Sequence, residues 1–266
     1  MKTDAHCHPS DLASRFPACE DERRQLGVMC AASATTPEEF EFNEQLAQSE
    51  GIPCLLPCFA IHPQMPSASR PFLIDRQLEF PYTLAAQGRL AAIGETGFDL
   101  FTAAIRETEK NQDSLFAAHI EIALRYDLPV VLHVRRAMHK IFAHTAELRK
   151  CRAVIFHSWP GTAGEGESFL KRGVNAFFSF GAAIMLNHRE AMHCCSVFPA
   201  DRLLTETDAP FQPPRGKAFS RYTDLAEILR AMESLREKPG MEALIEKNFR
   251  TAFGVTVSEP VPQAYP

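Results

Sequence analysis

Apolar residues along this chain gather into eight short runs, each bounded by polar or turn-forming residues. The runs cover residues 2–6, 27–32, 54–61, 90–94, 129–133, 153–157, 175–180 and 203–207, and read as strands. Most are separated by longer stretches with helical spacing. Between 107 and 126, Leu115, Phe116, His119, Ile120, Ala123 and Leu124 recur at that spacing, while Glu109, Gln112 and Asp113 make the far side polar. Thr36-Pro37-Glu38-Glu39 carries a helix start of its own: a capping threonine, a proline at the first helical position and a glutamate that closes a capping box. Residues 223–236 form another amphipathic stretch, and 241–253 a last helix that closes the structure.

Strands alternating with helices in this way predict an α/β fold of the TIM type, a (β/α)8 barrel. The length of 266 residues suits one such barrel, which takes about 250 residues. A single domain over 1–257 is therefore expected, with no internal repeat or linker. Residues 258–266 hold three prolines and no periodicity, and are expected to form a loosely ordered tail.

Composition narrows the function. With 45% hydrophobic and 23% charged residues the chain can bury a sizeable core. A net charge of −5 argues against a general nucleic-acid coat, which carries a basic surface. It leaves room for an enzyme whose cationic site is local or supplied by bound metal. The start, Met1 to His6, has no signal-peptide stretch, and no apolar run approaches the roughly 18 residues that cross a bilayer. A cytoplasmic protein without membrane contact is expected. Its eight cysteines then read as reduced thiols, and their spacing matches no zinc knuckle.

The candidate chemistry lies where the apolar runs stop. The first ends in Asp4-Ala5-His6-Cys7-His8, and two histidines two residues apart on an extended chain point to the same side and can grip one cation. That pattern alone is common at strand ends. Here, however, other runs end alike: in His62-Pro63, in Glu95, in His133, in His157 and in Glu206-Thr207-Asp208. The carboxyl ends of barrel strands converge on one face. Four histidines and two acids gathered there suffice for two divalent ions sharing a carboxylate.

The order of these residues resembles the TatD family of metal-dependent deoxyribonucleases, within the amidohydrolase-like barrels. The matching elements are Asp4–His8, Ile61-His62-Pro63, Gly94–Asp99, His133, His157 and Glu206–Pro210, with lesser matches at Gln112, Phe116, Ser179-Phe180, Arg215-Gly216 and Asn248-Phe249. The resemblance runs from Asp4 to about Gly254. It implies one metal on His6, His8 and Asp208, a second on His133 and His157, and Glu95 bridging both. A hydroxide bridging the ions would be the nucleophile, and Asp208 would take the proton of the attacking water. Glu206, two residues back on the same side, would orient Asp208 or touch a metal. His62, without a chelating neighbour, reads as a donor to the substrate phosphate or the leaving oxygen.

The implied activity is phosphodiester hydrolysis on DNA, 3′-5′ and exonucleolytic on single strands, since a deep barrel mouth admits a strand end more easily than a duplex. The cofactor is a pair of divalent ions, Mg²⁺, Mn²⁺ or Zn²⁺; histidines favour the softer ions and magnesium prefers oxygen. Departures from the family pattern fall beside the ligands. Val134-Arg135-Arg136-Ala137 follows His133, and Ser158-Trp159-Pro160-Gly161 follows His157. Phe98 replaces a leucine, and no Asn-Glu-Pro follows Lys217.

Arg135, Arg136 and Arg215, with Lys217 and Arg221, are candidates to clamp a phosphate, and Trp159 to stack on a base. His119, His139, His144, His188 and His193 read as structural or surface residues of helices. Two other readings stay open. The same binuclear site serves esters, amides, lactones or D-aminoacyl-tRNA, although His133 stands where acyl-transfer relatives place a carboxylated lysine. A non-catalytic scaffold on the same barrel would have no need of the intact ligand set. Nothing in the sequence points to an obligate protein partner.

Overall fold

The computed structural model describes residues 1–49, 54–65 and 71–256. Its frame is a single sheet of eight strands: β1 (Thr3–Cys7), β2 (Met29–Ala34), β3 (Leu55–Phe59), β4 (Ala92–Asp99), β5 (Val130–Arg135), β6 (Val154–Phe156), β7 (Ala176–Phe180) and β8 (Leu203–Thr205). They pair in sequence order, every pair parallel. Parallel neighbours need a crossover, and helices supply it, so the sheet curls into the expected TIM-type barrel. β8 returns to β1: Thr205 Oγ1 donates to the Thr3 carbonyl at 2.7 Å, and the Asp208 amide to the His6 carbonyl at 2.9 Å.

Side-chain alternation along the strands sets which residues reach the mouth. Val130, Leu132 and Val134 pack in one apolar cluster with helix residues such as Phe116 and Ile141, whereas Val131 belongs to a second cluster with Ile155, Phe177 and Leu204. Because successive side chains take opposite faces, the parity of Val131 carries His133 to the inner face. The parity of Ile155 does the same for His157.

Several strand bounds differ from expectation. β4 continues through Asp99 because Gly97, Phe98 and Asp99 pair with His133, Val134 and Arg135 of β5. Glu95 therefore lies within the strand instead of after it. β2 sits two residues later than predicted, and β8 stops at Thr205. Two glycines in β4 permit its approach to β5: a Cβ on Gly97 (φ 138°) would lie 2.1 Å from the His133 carbonyl oxygen, and one on Gly94 would lie 2.5 Å from the Val131 Cβ.

The helices follow their local signals. Pro37–Gln48 starts at the predicted Thr36–Glu39 capping box. Glu109–Arg125 buries Leu115, Phe116, His119, Ile120 and Ala123, while Leu124 stays exposed on its outer side. Leu225–Leu235 and Glu242–Phe253 complete the wall. All eight cysteines are unpaired thiols, seven of them buried. Among the described residues no helix is long and apolar enough to cross a membrane. The expected tail, 258–266, lies outside the described residues.

Candidate metal centre and active site

At the carboxyl ends of the strands the predicted ligands come together. His6 Nε2 and His8 Nε2 are 3.1 Å apart, and each is 3.5 Å from Asp208 Oδ1. Nitrogen and oxygen ligands about 2.1 Å from one ion stand roughly 3.0–3.4 Å from each other, so these three side chains fit a cation. Glu95 faces two ways. Its Oε2 lies 3.3 Å from His6 Nε2 and 3.6 Å from His62 Nε2, and its Oε1 lies 2.8 Å from His133 Nδ1 and 3.7 Å from His157 Nε2.

Among the described residues three ligand-capable groups result: His6, His8 and Asp208; His6, Glu95 and His157; and His62, Glu95 and His133. His133 and His157, expected on one ion, both face Glu95 Oε1 yet fall in different groups of three. The ring of His157 lies 3.8 Å from that of His6 and 6.5 Å from that of His133.

Outer partners fix which ring nitrogen each histidine presents. His157 Nδ1 meets Glu206 Oε2 at 3.0 Å, and His133 Nε2 meets Asp99 Oδ2 at 3.2 Å. A histidine that donates one N–H to a carboxylate keeps the other nitrogen's lone pair for a metal, here Nε2 of His157 and Nδ1 of His133. Glu206 therefore reaches His157, not Asp208 as sequence spacing suggested.

His62 has the opposite arrangement, because the Gln64 backbone amide donates to its Nδ1 at 3.1 Å. A nitrogen that accepts carries no proton, so neutral His62 holds its proton on Nε2, the atom facing Glu95. Burial lowers the pKa of His62 and favours that neutral form.

The acids are kept ionised by their surroundings. Burial alone would raise Glu95, but His6, His62, His157 and His133 outweigh it and hold the carboxyl well below its usual range. For His157 burial works downward, yet Glu206, Asp208 and Glu95 push its pKa up to about 10. Protons and carboxylates here balance one another in the way cations would balance the same donors.

Several supporting residues were given no role of their own by the sequence. Asp99 accepts from Gln64 Nε2 at 2.5 Å, and its backbone exchanges hydrogen bonds with the Gln112 amide. Gln212 donates to Asp208 Oδ2 at 2.8 Å and accepts from Ser158 Oγ. Buried Asp4 accepts the Thr207 amide and hydroxyl and the His6 amide, tying the first and last strands.

His119, expected to be structural, is buried behind the site. Its Nε2 accepts the Ile61 amide at 3.3 Å and its Nδ1 donates to Thr96 Oγ1 at 2.8 Å, bracing the neighbours of His62 and Glu95. Burial pushes its pKa down to about 3, so it stays neutral. Arg136, Ser158, Asp208 and Gln212 all turn the chain with φ between 44° and 53°, a region that costs non-glycine residues of order 1–3 kcal/mol each and gathers at functional sites.

His8, His62, Glu95, His133, His157 and Asp208 line a cavity of about 870 Å³. Arg135 lines it, 3.6 Å from Asp99 Oδ2. Of the other proposed substrate contacts, Trp159 borders the cavity, whereas Arg136 and Arg215 are not among its described lining residues. Trp159 is only 4% exposed and packs edge-on against Phe156 and Phe178, which leaves no open face for a base. Arg136 turns away so that its guanidinium lies over Phe101 at 4.6 Å. Arg215 is exposed but is not among the described lining residues, while Lys217 pairs with Asp224 and Arg221 with Glu22. His188, read as a helix residue, caps Arg189–Val197 and lines the cavity.

Known proteins are similar to this chain in sequence and fold. A protein of Klebsiella pneumoniae named 3′-5′ ssDNA/RNA exonuclease TatD is 32% identical over 212 residues, covering 74% of this chain and 76% of that protein. The metal-dependent hydrolase YjjV of Escherichia coli is 27% identical over 262 residues, covering 95% and 97%. The crystal structure of YjjV, described as a TatD homologue, superposes with a TM-score of 0.84 over 96% of this chain and 98% of that one. An amidohydrolase structure from Saccharomyces cerevisiae, 15% identical with a TM-score of 0.76, shares the fold. The family described as TatD related DNase matches from residue 3 to residue 254, which takes in every strand and the whole mouth, and this chain belongs to it.

Proposed function

We propose that this chain hydrolyses phosphodiester bonds at an end of single-stranded nucleic acid, DNA in the first instance, with two divalent cations. His6, His8 and Asp208 would hold one, His133 and His157 the other, with Glu95 placed between the two sets. The observation that carries this reading is Glu95, whose two oxygens face separate histidine sets. When bound, such ions lower the pKa of water and offset charge on phosphoryl oxygens.

The remaining work falls to side chains. Asp208 accepts the proton of the attacking water. His62, neutral with its proton on Nε2, donates to the phosphate or the departing oxygen. Glu206 holds His157 in the tautomer that leaves Nε2 free, acting through that ring without meeting substrate. Arg135 gives the cavity a fixed cation for a phosphate. A concave site of about 870 Å³ is of ligand size, suited to a strand end. The name carried by the Klebsiella relative points the same way.

The test is incubation of Mn²⁺- or Mg²⁺-loaded protein with 5′-labelled single-stranded DNA. A ladder receding from the 3′ end, abolished by chelator and reduced more than about 100-fold in His133→Ala, is the expected result. Intact DNA, or equal activity in wild type and His133→Ala, overturns the reading.

A further inference from the structure

The strongest unassigned feature of the cavity is an aromatic ring left open beside the metal centre. Phe211 follows Asp208 by three residues, lines the cavity and is 41% exposed. Its position is not accidental slack. The Phe211 amide donates to the Asp208 carbonyl at 2.6 Å, and Ser220 Oγ donates to the Phe211 carbonyl. The ring meets His8 edge-on, with centroids 5.2 Å apart and planes at 78°. Thus the backbone that positions one candidate ligand also positions the ring, and another candidate ligand fixes one of its edges.

The geometry points to Phe211 as the platform on which a nucleobase flanking the bound phosphate stacks. An open aromatic face at fixed distance from phosphate-binding groups selects flat π systems, because every base offers a face whatever its sequence. Arg15, whose guanidinium lies over the Phe211 ring at 5.9 Å from its centroid, covers it more loosely than Arg135 and Arg136 cover Phe101 at 4.2 and 4.6 Å, and adds a cation for the next phosphate. Two other aromatics near the mouth are less suited. Trp159 is enclosed by phenylalanines, and the exposed Phe101 ring already carries the guanidinium groups of Arg135 and Arg136. Arg135 is the one Lys or Arg among the described lining residues. Stacking consequently carries more of the substrate's hold than it would in a basic groove.

This inference names a substrate contact for the nuclease reading above, yet its test does not depend on turnover. Mn²⁺-loaded protein is titrated calorimetrically with deoxyadenosine 5′-monophosphate and with 2-deoxyribose 5-phosphate, which share the phosphate and sugar. Wild type is expected to bind the nucleotide roughly 5- to 100-fold more tightly. Phe211→Leu, which keeps apolar bulk against His8, brings the two ligands to near parity, and Phe211→Trp retains the preference. Unchanged Mn²⁺ stoichiometry in both variants shows that the centre is intact. Equal binding by wild type, or an unreduced preference in Phe211→Leu, overturns the platform. A base preference lost in Phe211→Leu supports the platform even if single-stranded DNA stays intact, an outcome that sinks only the nuclease reading. DNA breakdown without base preference does the reverse.

Discussion

The two sides of the candidate metal centre are built differently. Where β8 meets β1, the main chain holds His6, His8 and Asp208: the Asp208 amide bonds to His6, the His8 amide to Ala209, and buried Asp4 ties Thr207 to His6. Where β4 meets β5, side chains from elsewhere do this work: Gln64 and Gln112 hold Asp99, which meets His133, and His119 holds Thr96 beside Glu95. The first side keeps its three donor atoms at ligand-like separations. On the second, His133 lies between two carboxylates that already satisfy both its nitrogens. An ion entering there displaces the 2.8 Å contact of His133 with Glu95, whereas one entering the first side replaces the longer 3.1 Å contact of His6 with His8 and the 3.5 Å approaches of both to Asp208. Metal titration is accordingly expected to proceed in two steps, the tighter one on His6, His8 and Asp208.

The largest effect is expected from the residue common to both sides. Glu95→Gln should lower activity more than about 100-fold and reduce bound metal below two ions, checked by kinetics and elemental analysis. Next come the carboxylates that orient each histidine. Glu206→Gln and Asp99→Asn should each cost about 10- to 100-fold in metal affinity or activity. If the contrast holds, Asp99→Asn weakens the looser titration step and leaves the tighter one unchanged. Equal effects on both steps would erase the distinction.

His119 offers a pH test of the side-chain-held half. Its folded pKa of about 3 lies below the ordinary value of 6.5, so the unfolded chain binds the extra proton first as pH falls. Its contribution to stability is complete above pH 6.5 and declines from there toward pH 3, by about 2 kcal/mol at pH 5. His119→Gln should remove that slope in denaturant titrations, and an identical slope in the variant would contradict a buried neutral histidine. The smallest effects are expected from the two glutamines. Gln64→Ala should cost about 1 kcal/mol of transition-state stabilisation and Gln212→Ala less, since main-chain bonds also hold Asp208. Equal losses in kcat/KM would remove the difference between the halves.

The barrel was legible because its evidence is local: short apolar runs alternate with amphipathic stretches, and Thr36 and Glu39 mark a helix start within four residues. The strand-end residues were legible for the same reason, each apolar run stopping at a polar group. What could not be read is which group turns each ring. His133 and Asp99 are 34 positions apart, His119 and Ile61 are 58 apart, and neither distance leaves a trace in periodicity. Trp159 shows the converse error. Following a candidate ligand, it looked available to substrate, but Phe178 and Phe198 come from later parts of the chain and enclose it. Phe211 carried a weak signal, as an apolar residue placed directly after a Pro in a polar loop.

The bare backbone at Gly94 and Gly97 has a consequence for how far this centre can change. The spacing between the glutamate and the neighbouring histidine is set by bare backbone, resting at Gly97 on the His133 main chain and at Gly94 on the Val131 side chain and carbonyl. Even one methyl at residue 97 would act as a wedge, moving both groups at once instead of retuning either. Variation aimed at new substrates therefore has freedom in the loops beyond β5, β6 and β8 and almost none along this seam.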